Sequence, residues 1–231
     1  MFVSAIVVAG GLGLRMKTDR PKQFLKIGSK YLIQHTLEKI NEINIIDEVV
    51  LTLPLQNYDK WNSMVEELIE KMNLKVDKIV KGGEKRQNSV YNGFKNCNPC
   101  ADIILIHDAV RPFFETDLVK DAIAHLKNYD GVIFAVPISD TVKKIDSNKV
   151  ITETLDRKEL FRAQTPQIFK RDVLEKSFDY AFESNREYTD ESSMAEEIGA
   201  RIRIIESSEK NIKITKPDDI KLAEFLLGNF D

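Results

Sequence analysis

The chain has 231 residues, of which 42% are hydrophobic, enough for one large domain with a substantial core. Its 34 lysines and arginines are balanced by 37 aspartates and glutamates, which argues against a protein that coats nucleic acid. No stretch approaches the about 20 apolar residues of a membrane span, and residues 2–9 lack the features of a secretion signal. We therefore expect a cytoplasmic protein that binds neither nucleic acid nor a membrane.

The first part of the chain alternates β-branched apolar runs with amphipathic stretches, a pattern typical of parallel strands connected by helices. Strands are predicted at residues 2–8, 47–53, 75–80, 102–110 and 131–137. Helices are predicted at residues 31–43, 58–72, 84–96 and 116–127, the last with Thr116 as its N-cap. This alternation predicts an α/β fold, a three-layer sandwich with a mostly parallel sheet, as a single domain over residues 1–231.

The alternation stops at residues 139–169, where two β-rich runs flank the turn "DSNK". We expect a β-arm that leaves the domain. Because an isolated two-stranded hairpin is marginal in water, the arm needs a partner surface, and a second subunit is the obvious one. Further helices are predicted at residues 170–183, 189–199 and 217–227, with strands at 201–207 and 211–215.

Three glycines follow the first strand, and cations follow the glycines. Gly10, Gly11 and Gly13 let the backbone approach a ligand closely, and their N–H groups can surround an anion. Arg15 offers a planar fork to phosphate oxygens and Lys22 a compact charge, so this loop suits a polyphosphate.

Two familiar phosphate-binding motifs are excluded. The dinucleotide fingerprint G-x-G-x-x-G fails because Met16 occupies the sixth position counted from Gly11, and no P-loop string occurs in the chain. The nearby Lys17 and Arg20 are equally compatible with a solvated surface.

Two more loops follow predicted strands, so all three should meet at the carboxyl edge of the sheet. The loop "KGGEKRQNS", with Gly82, Gly83, Arg86 and Ser89, is by itself compatible with an ordinary turn and helix start. In "HDAVRP", Asp108 suits a magnesium ion or a turn cap, and its position opposite the glycine loop favours magnesium. His107 is better interpreted as structural.

These parts suggest nucleotidyl transfer. A triphosphate and magnesium would bind the cationic loop, and a second substrate would attack the α-phosphorus. A nucleophile that is itself a phosphate needs no general base, in agreement with the lack of a catalytic histidine pattern. Arg157 and Lys213, which lie towards the C-terminus, would then offset the repulsion between the triphosphate and the attacking phosphate. Each could also be an ordinary surface residue.

Six segments carry a family resemblance in consistent order. They are "AGGLGLRM" with "PKQFL", "GGEKRQNSV", "HDAVRPF", "LDRKELFRAQTPQIF", "TDESSMAEEIG" and "NIKITKPDDIKLAE". Over its whole length the chain resembles the 2-C-methyl-D-erythritol 4-phosphate cytidylyltransferase family of the non-mevalonate isoprenoid route. The resemblance implies a glycosyltransferase-A-like nucleotidyltransferase fold and transfer of CMP from CTP to a polyol phosphate.

The resemblance also implies residue roles. Arg15 and Lys22 match residues that stabilise the transition state, and Asp108 matches the carboxylate that faces the magnesium ion and the nucleotide. The residues that match the family's nucleotide-binding positions are Ala9, Gly10, Gly11, Gly83 and Ser89, with Gly13 in the same loop. The residues that match its polyol-phosphate positions are Arg111, Thr141, Arg157, Thr189 and Lys213. Of these, Thr141 and Arg157 lie on the family's dimerisation arm and would reach the partner's site.

Several alternatives stay open. Ribitol-5-phosphate cytidylyltransferases share this fold and reaction, but they tend to have serine in place of Ala109. A nucleotide sensor without catalysis would be expected to lack Lys22 or Asp108. The "CNPC" segment could indicate redox chemistry or half a zinc site, but we interpret Cys97 and Cys100 as two thiols of a surface loop.

Overall fold

The computed structural model describes residues 1–11, 13, 16 and 20–228, and within them the predicted alternation of strands and helices is present. The strands are β1 (Val3–Val8), β2 (Lys26–Ile27), β3 (Lys30–Tyr31), β4 (Glu48–Leu53), β5 (Lys78–Lys81), β6 (Ile103–Asp108), β7 (Gly131–Pro137), β8 (Lys143–Ile145), β9 (Ile151–Thr154), β10 (Phe161–Lys170) and β11 (Ile202–Glu206). The helices are α1 (Leu32–Asn41), α2 (Tyr58–Met72), α3 (Arg86–Asn96), α4 (Asp117–His125), α5 (Arg171–Glu183), α6 (Glu191–Glu197) and α7 (Pro217–Gly228).

A seven-stranded sheet in the order β11-β7-β10-β6-β1-β4-β5 forms the middle layer. All neighbours pair in parallel except β10, which is antiparallel to both β6 and β7. Every residue of β1, β4 and β6 is buried, as expected for strands covered on both faces. The predicted mostly parallel sheet is therefore confirmed.

Helices cover both faces of the sheet and complete the three layers. On one face, Ile33 and Leu37 of α1 pack with Trp61 of α2 and Val119 of α4 in one apolar cluster. On the other face, a second cluster joins α3, α5 and α6 through Phe94, Phe178 and Met194, among others. The three- and four-residue spacing of these side chains is what places them on one side of each helix.

The segment after the glycine loop is anchored in the core by an aromatic pair. Phe24 stacks on Trp61 with ring centroids 4.4 Å apart and planes 9° apart. Offset aromatic pairs of this kind contribute about 0.5–1.5 kcal/mol beyond their buried area. This contact fixes the short 3-10 helix Lys22–Phe24, and with it the position of Lys22.

The predicted arm of residues 139–169 is too long. Strands β8 and β9 form a separate two-stranded sheet whose residues are all exposed, as an arm requires. Its turn is closed by Asp146, whose side chain accepts the N–H groups of Asn148 and Val150, both at 2.9 Å. Residues 161–169, however, belong to β10 in the main sheet, because Ile168 and Phe169 are apolar and fully buried there.

Thr116 is the N-cap residue of α4, as predicted, although its side chain makes no capping hydrogen bond. Two smaller expectations were wrong. Residues 211–215 do not form a strand. Cys97 is buried at the end of α3, and only Cys100 is exposed, so the two thiols do not share a surface.

All helices in the described part of the chain are too short or too polar to cross a membrane.

Candidate active site

A cleft of about 800 Å³ opens at the carboxyl ends of β1, β4, β5 and β6. The three loops expected to converge at this edge do so. The cleft is lined by Val8, Ala9, Gly10, Gly11, Gly13, Lys22, Gln23, Leu55, Gln56, Gly83, Glu84, Lys85, Arg86, Ser89, Asp108, Val110, Lys213 and Thr215. The described residues predicted to surround a nucleotide are therefore all in its wall.

The glycine turn is held from behind by Gln23. The side-chain amide of Gln23 donates to the carbonyl oxygens of Ala9 at 2.5 Å and Gly11 at 3.0 Å. Gln23 is only 1% exposed, so the loop is tied to the buried base of the 3-10 helix. Sequence analysis missed Gln23; the available signal was a polar residue next to the core residue Phe24.

Two glycines of this turn are required by space or by backbone conformation. A Cβ on Gly10 would lie 2.5 Å from Ser89 Oγ, so the loop packs directly on α3. Gly13 has a φ of +68°, and a Cβ there would lie 2.9 Å from Lys22 Cγ. The turn therefore brings its backbone against the base of Lys22.

Lys22 reaches the opposite wall of the cleft. Its Nζ donates to the main-chain carbonyl of Ile214 at 2.9 Å. Arg15, the second cation predicted for catalysis, lies outside the described residues.

Ser89 shapes the second loop. Its Oγ accepts the N–H of Gly83 at 2.9 Å and donates to the carbonyl of Lys85 at 3.1 Å. A Cβ on Gly83 would lie 2.3 Å from Asn88 Cβ, so only glycine fits this turn. The loop is a turn followed by a helix start, as the sequence by itself suggested. It also forms part of the cleft wall, which the sequence by itself did not predict.

Asp108 forms the floor of the cleft and is surrounded by three cations. Its carboxylate lies 2.7 Å from Lys213 Nζ, 3.2 Å from Arg86 Nε and 3.5 Å from Arg111 Nε. Burial acts to raise the pKa of Asp108, but the charges of Lys213, Arg86 and Arg111 outweigh it and hold the pKa well below its usual range. Asp108 is therefore a carboxylate at neutral pH.

Arg86 links Asp108 to a second buried carboxylate that sequence analysis missed. Its NH1 group donates to both oxygens of Glu191, at 2.8 and 2.9 Å. Burial raises the pKa of Glu191 against the opposing charge of Arg86, whereas Glu191 and Asp108 raise the pKa of Arg86 despite its own burial. Arg86 and Glu191 form a charged pair, because both carboxylate oxygens of Glu191 accept hydrogen bonds from the guanidinium.

His107 is confirmed as a buried structural residue. Its Nε2 lies 3.0 Å from the carbonyl of Arg111 and its Nδ1 lies 3.1 Å from Thr165 Oγ1. Burial lowers the pKa of His107 to about 4, so the ring is neutral at pH 7. It cannot act as a general base from this position.

The residues predicted to bind the second substrate are not all brought together. Lys213 lines the cleft, whereas Arg111 lies behind its floor, 8% exposed, with its NH1 group donating to the carbonyl of Asn211 at 2.7 Å. Thr141, Arg157 and Thr189 are exposed and lie outside the cleft lining of the described chain. Arg157 is near the base of the arm, where its guanidinium donates to the carbonyl of Ser139. Their roles stay predictions.

Comparison with known proteins assigns this site to a family. Residues 3–229 match the model of IspD, described as 2-C-methyl-D-erythritol 4-phosphate cytidylyltransferase. The chain belongs to this family.

Relatives support the assignment over nearly the full chain. A Clostridioides difficile protein named 2-C-methyl-D-erythritol 4-phosphate cytidylyltransferase is 39% identical, over 97% of this chain and 93% of the relative. One from Clostridium novyi with the same name is 40% identical, over 97% and 96%. The crystal structure of 4-diphosphocytidyl-2C-methyl-D-erythritol synthase from Anaerococcus prevotii has a TM-score of 0.86 at 29% identity, covering 98% of this chain and 96% of that one. The fold predicted from the sequence is thus that of a cytidylyltransferase.

The donors in this IspD cleft fit a divalent cation only in part. No cluster of three or more acidic, histidine or cysteine side chains suited to a metal occurs in residues 1–11, 13, 16 and 20–228. Magnesium, however, is usually held by one or two carboxylates together with substrate phosphates and water. Asp108 supplies one such carboxylate, which fits a cation that arrives with a triphosphate.

Proposed function

We propose that this enzyme transfers CMP from CTP to 2-C-methyl-D-erythritol 4-phosphate, forming 4-diphosphocytidyl-2-C-methyl-D-erythritol and releasing pyrophosphate. The observation that carries the proposal is the shared cleft of the glycine turn, Lys22, Lys213 and Asp108, in a chain of the IspD family. The comparisons name methylerythritol phosphate and give no support to the alternative substrate, ribitol 5-phosphate.

The nucleotide would occupy the wall built by two loops. Ala9, Gly10, Gly11 and Gly13 lie on one side of the cleft, and Gly83 and Ser89 lie on the other. The Ser89 hydroxyl packs directly against Gly10, and Gly10, Gly11, Gly13 and Gly83 carry no side chain, so a ligand along these loops meets mostly backbone groups. Backbone N–H groups can bind phosphate oxygens or the edge of a base.

The reaction needs fixed positive charge more than it needs a base. An oxygen of the polyol phosphate attacks the α-phosphorus of CTP, and the bond from that phosphorus to the bridging oxygen breaks. Charge develops on the phosphorus oxygens and on the leaving pyrophosphate, where Lys22 and Arg15 would stabilise it. Lys213 and Arg111 would offset the repulsion between the two substrates, and Thr189 would contact the polyol phosphate.

Magnesium, or another divalent cation, would be held by Asp108 and the phosphates. When bound, such an ion neutralises phosphate charge. Asp108 would then exchange part of its contact with Lys213 for the cation, which would free Lys213 for the substrates.

The arm would complete the site of a second copy. Exposed Ile145, Val150 and Ile151 give the hairpin an apolar surface, which an isolated hairpin could not bury alone. In a homodimer, Thr141 and Arg157 would reach the partner's polyol phosphate. We place the enzyme in the cytoplasm, where nucleoside triphosphates are available.

Pyrophosphate release tests the function directly. Purified protein with CTP and magnesium is offered methylerythritol 4-phosphate and ribitol 5-phosphate in parallel. Release with the first only is expected. Release with ribitol 5-phosphate only would change the substrate but keep the reaction. No release with either substrate, from protein that binds CTP, would support a nucleotide sensor instead.

A further inference from the structure

The ion pair between Arg86 and Glu191 lies partly inside and partly behind the cleft. Arg86 lines the cleft, and its side chain is 25% exposed. The side chain of Glu191 is 2% exposed and is not part of the lining. Arg86 is therefore the side chain that connects Glu191 to the cleft.

Glu191 is held rigidly by the main sheet. It is the first residue of α6, where the preceding Asp190 accepts the N–H of Ser193 at 3.0 Å and the amide of Gln167 at 2.8 Å. Gln167 is a buried residue of β10 and also accepts the N–H of Ser192 at 3.1 Å. The carboxylate of Glu191 is thus presented to Arg86 from a fixed position.

The guanidinium of Arg86 is fixed at two points as a result. NH1 is bound by Glu191, at 2.8 and 2.9 Å, while Nε faces Asp108 Oδ1 at 3.2 Å. The planar guanidinium is held at both Nε and NH1, so it can rotate only if it breaks a hydrogen bond to a charged carboxylate. Arg86 comes from α3, Asp108 from β6 and Glu191 from α6, so the arrangement joins three elements at one point of the cleft.

We propose that Glu191 is a positioning residue for nucleotide binding. It holds the guanidinium of Arg86 in a fixed position beside Asp108, where the guanidinium can contact the triphosphate. The inference rests on the proposed function for the identity of the ligand. It extends that function to a buried carboxylate that does not itself contact substrate. It also gives the segment "TDESSMAEEIG" a role in the nucleotide half of the site.

The test compares Glu191→Gln, which keeps the shape but removes the charge, with Glu191→Asp, which keeps the charge on a shorter stem. Glu196→Gln is the matched control, because it makes the same charge change on an exposed residue of α6. Three quantities are measured: the NMR signal of the Arg86 Nε–H group, the Kd for CTP by calorimetry, and the KM for the second substrate.

We expect Glu191→Gln to shift or broaden the Arg86 signal and to weaken CTP binding about tenfold, the size of one charge-assisted hydrogen bond. The KM for the polyol phosphate should change less than about twofold. Glu191→Asp should fall between wild type and Glu191→Gln, and Glu196→Gln should match wild type in all three quantities.

A folded Glu191→Gln protein that binds CTP as wild type does would overturn the proposal, since the ion pair would then serve stability alone. Should that variant fail to fold, Glu191→Asp decides: weakened CTP binding supports positioning, and unchanged binding contradicts it. Should wild type itself not bind CTP, the proposed function fails. The Arg86 signal then still decides the positioning, because a signal unchanged by Glu191→Gln or Glu191→Asp would contradict it.

Discussion

Lys22 donates to the main-chain carbonyl of Ile214 at 2.9 Å, across a sequence separation of 192 residues. The N–H of Ile214 in turn donates to the carbonyl of Val110 at 3.0 Å, so the segment that carries Lys213 is fixed to the loop after β6. The glycine loop, the loop after β6 and the late segment "NIKIT" are therefore joined at one point. Both lysines enter the cleft from backbone that is held in place.

Replacing Lys22 with alanine should lower kcat by about a hundredfold to a thousandfold, as loss of one preorganised charge-stabilising donor does. The unfolding midpoint should change little, because Lys22 is only partly buried. The measurement is steady-state pyrophosphate release alongside thermal unfolding.

Lys26→Ala is the matched control for that change. Lys26 is exposed and lies 5.4 Å from the centroid of the Tyr31 ring, outside the cleft lining. Its removal takes away the same charge from the same segment, so kcat should stay within about twofold of wild type. Equal losses in both variants would argue against a specific role for Lys22.

Gly13→Ala should destabilise the protein by about 1–2 kcal/mol, the cost of a left-handed backbone for a residue with a side chain. The added Cβ would also meet Lys22 Cγ at 2.9 Å, so activity should fall with stability. Gly11→Ala provides the comparison, since a Cβ there meets nothing within 4 Å. Urea unfolding of both variants checks this, and equal destabilisation would contradict it.

Asp108→Asn should cost about 3–5 kcal/mol at pH 7, because it leaves three cations around a neutral group. The pKa of Asp108 is lowered in the folded state, so its contribution to the free energy of unfolding is present above the unfolded pKa and is lost as pH falls through the folded pKa. The difference between wild type and Asp108→Asn should therefore shrink below about pH 4.

Urea unfolding at several pH values measures that difference. The exposed Asp121→Asn, on α4, is the control and should stay within about 0.5 kcal/mol of wild type throughout. A difference for Asp108→Asn that stays constant from pH 7 to pH 3 would show that the carboxylate is not held by its cations.

The sequence predicted the sheet and the nucleotide wall because both depend on local patterns. Buried parallel strands are continuous apolar runs, and glycines after a strand mark a close approach, so Gly10 could be recognised, whereas Gly83 was assigned to the nucleotide only through the family resemblance. Glu191 and Gln23 could not, since their roles depend on partners 105 and 14 residues away that no local pattern connects. The end of the arm was missed because the start of β10 is half exposed and resembles the hairpin before it.

His107 should make the protein less stable as pH falls from about 6.5 towards 4. Its pKa is lowered to about 4 by burial, so the unfolded state binds its proton first in this range. At about 1.36 kcal/mol per pH unit, the loss attributable to His107 approaches 3 kcal/mol. The NMR signals of the His107 ring should keep their neutral positions from pH 8 to pH 5, and titration near pH 6.5 would contradict the burial argument.

Arg157 should act in the site of the partner subunit. The prediction rests on its place beside an exposed hairpin and outside the cleft lining of its own chain. Arg157→Ala and Lys22→Ala proteins should each be nearly inactive alone. Mixed dimers would contain one site that has both Lys22 and Arg157, so random exchange should restore about a quarter of the wild-type activity.

Subunit exchange must first be demonstrated, for example with differently tagged chains. Exchange without recovery would place Arg157 in its own subunit's site or outside catalysis, and a monomer at assay concentration would remove the arm's proposed role altogether.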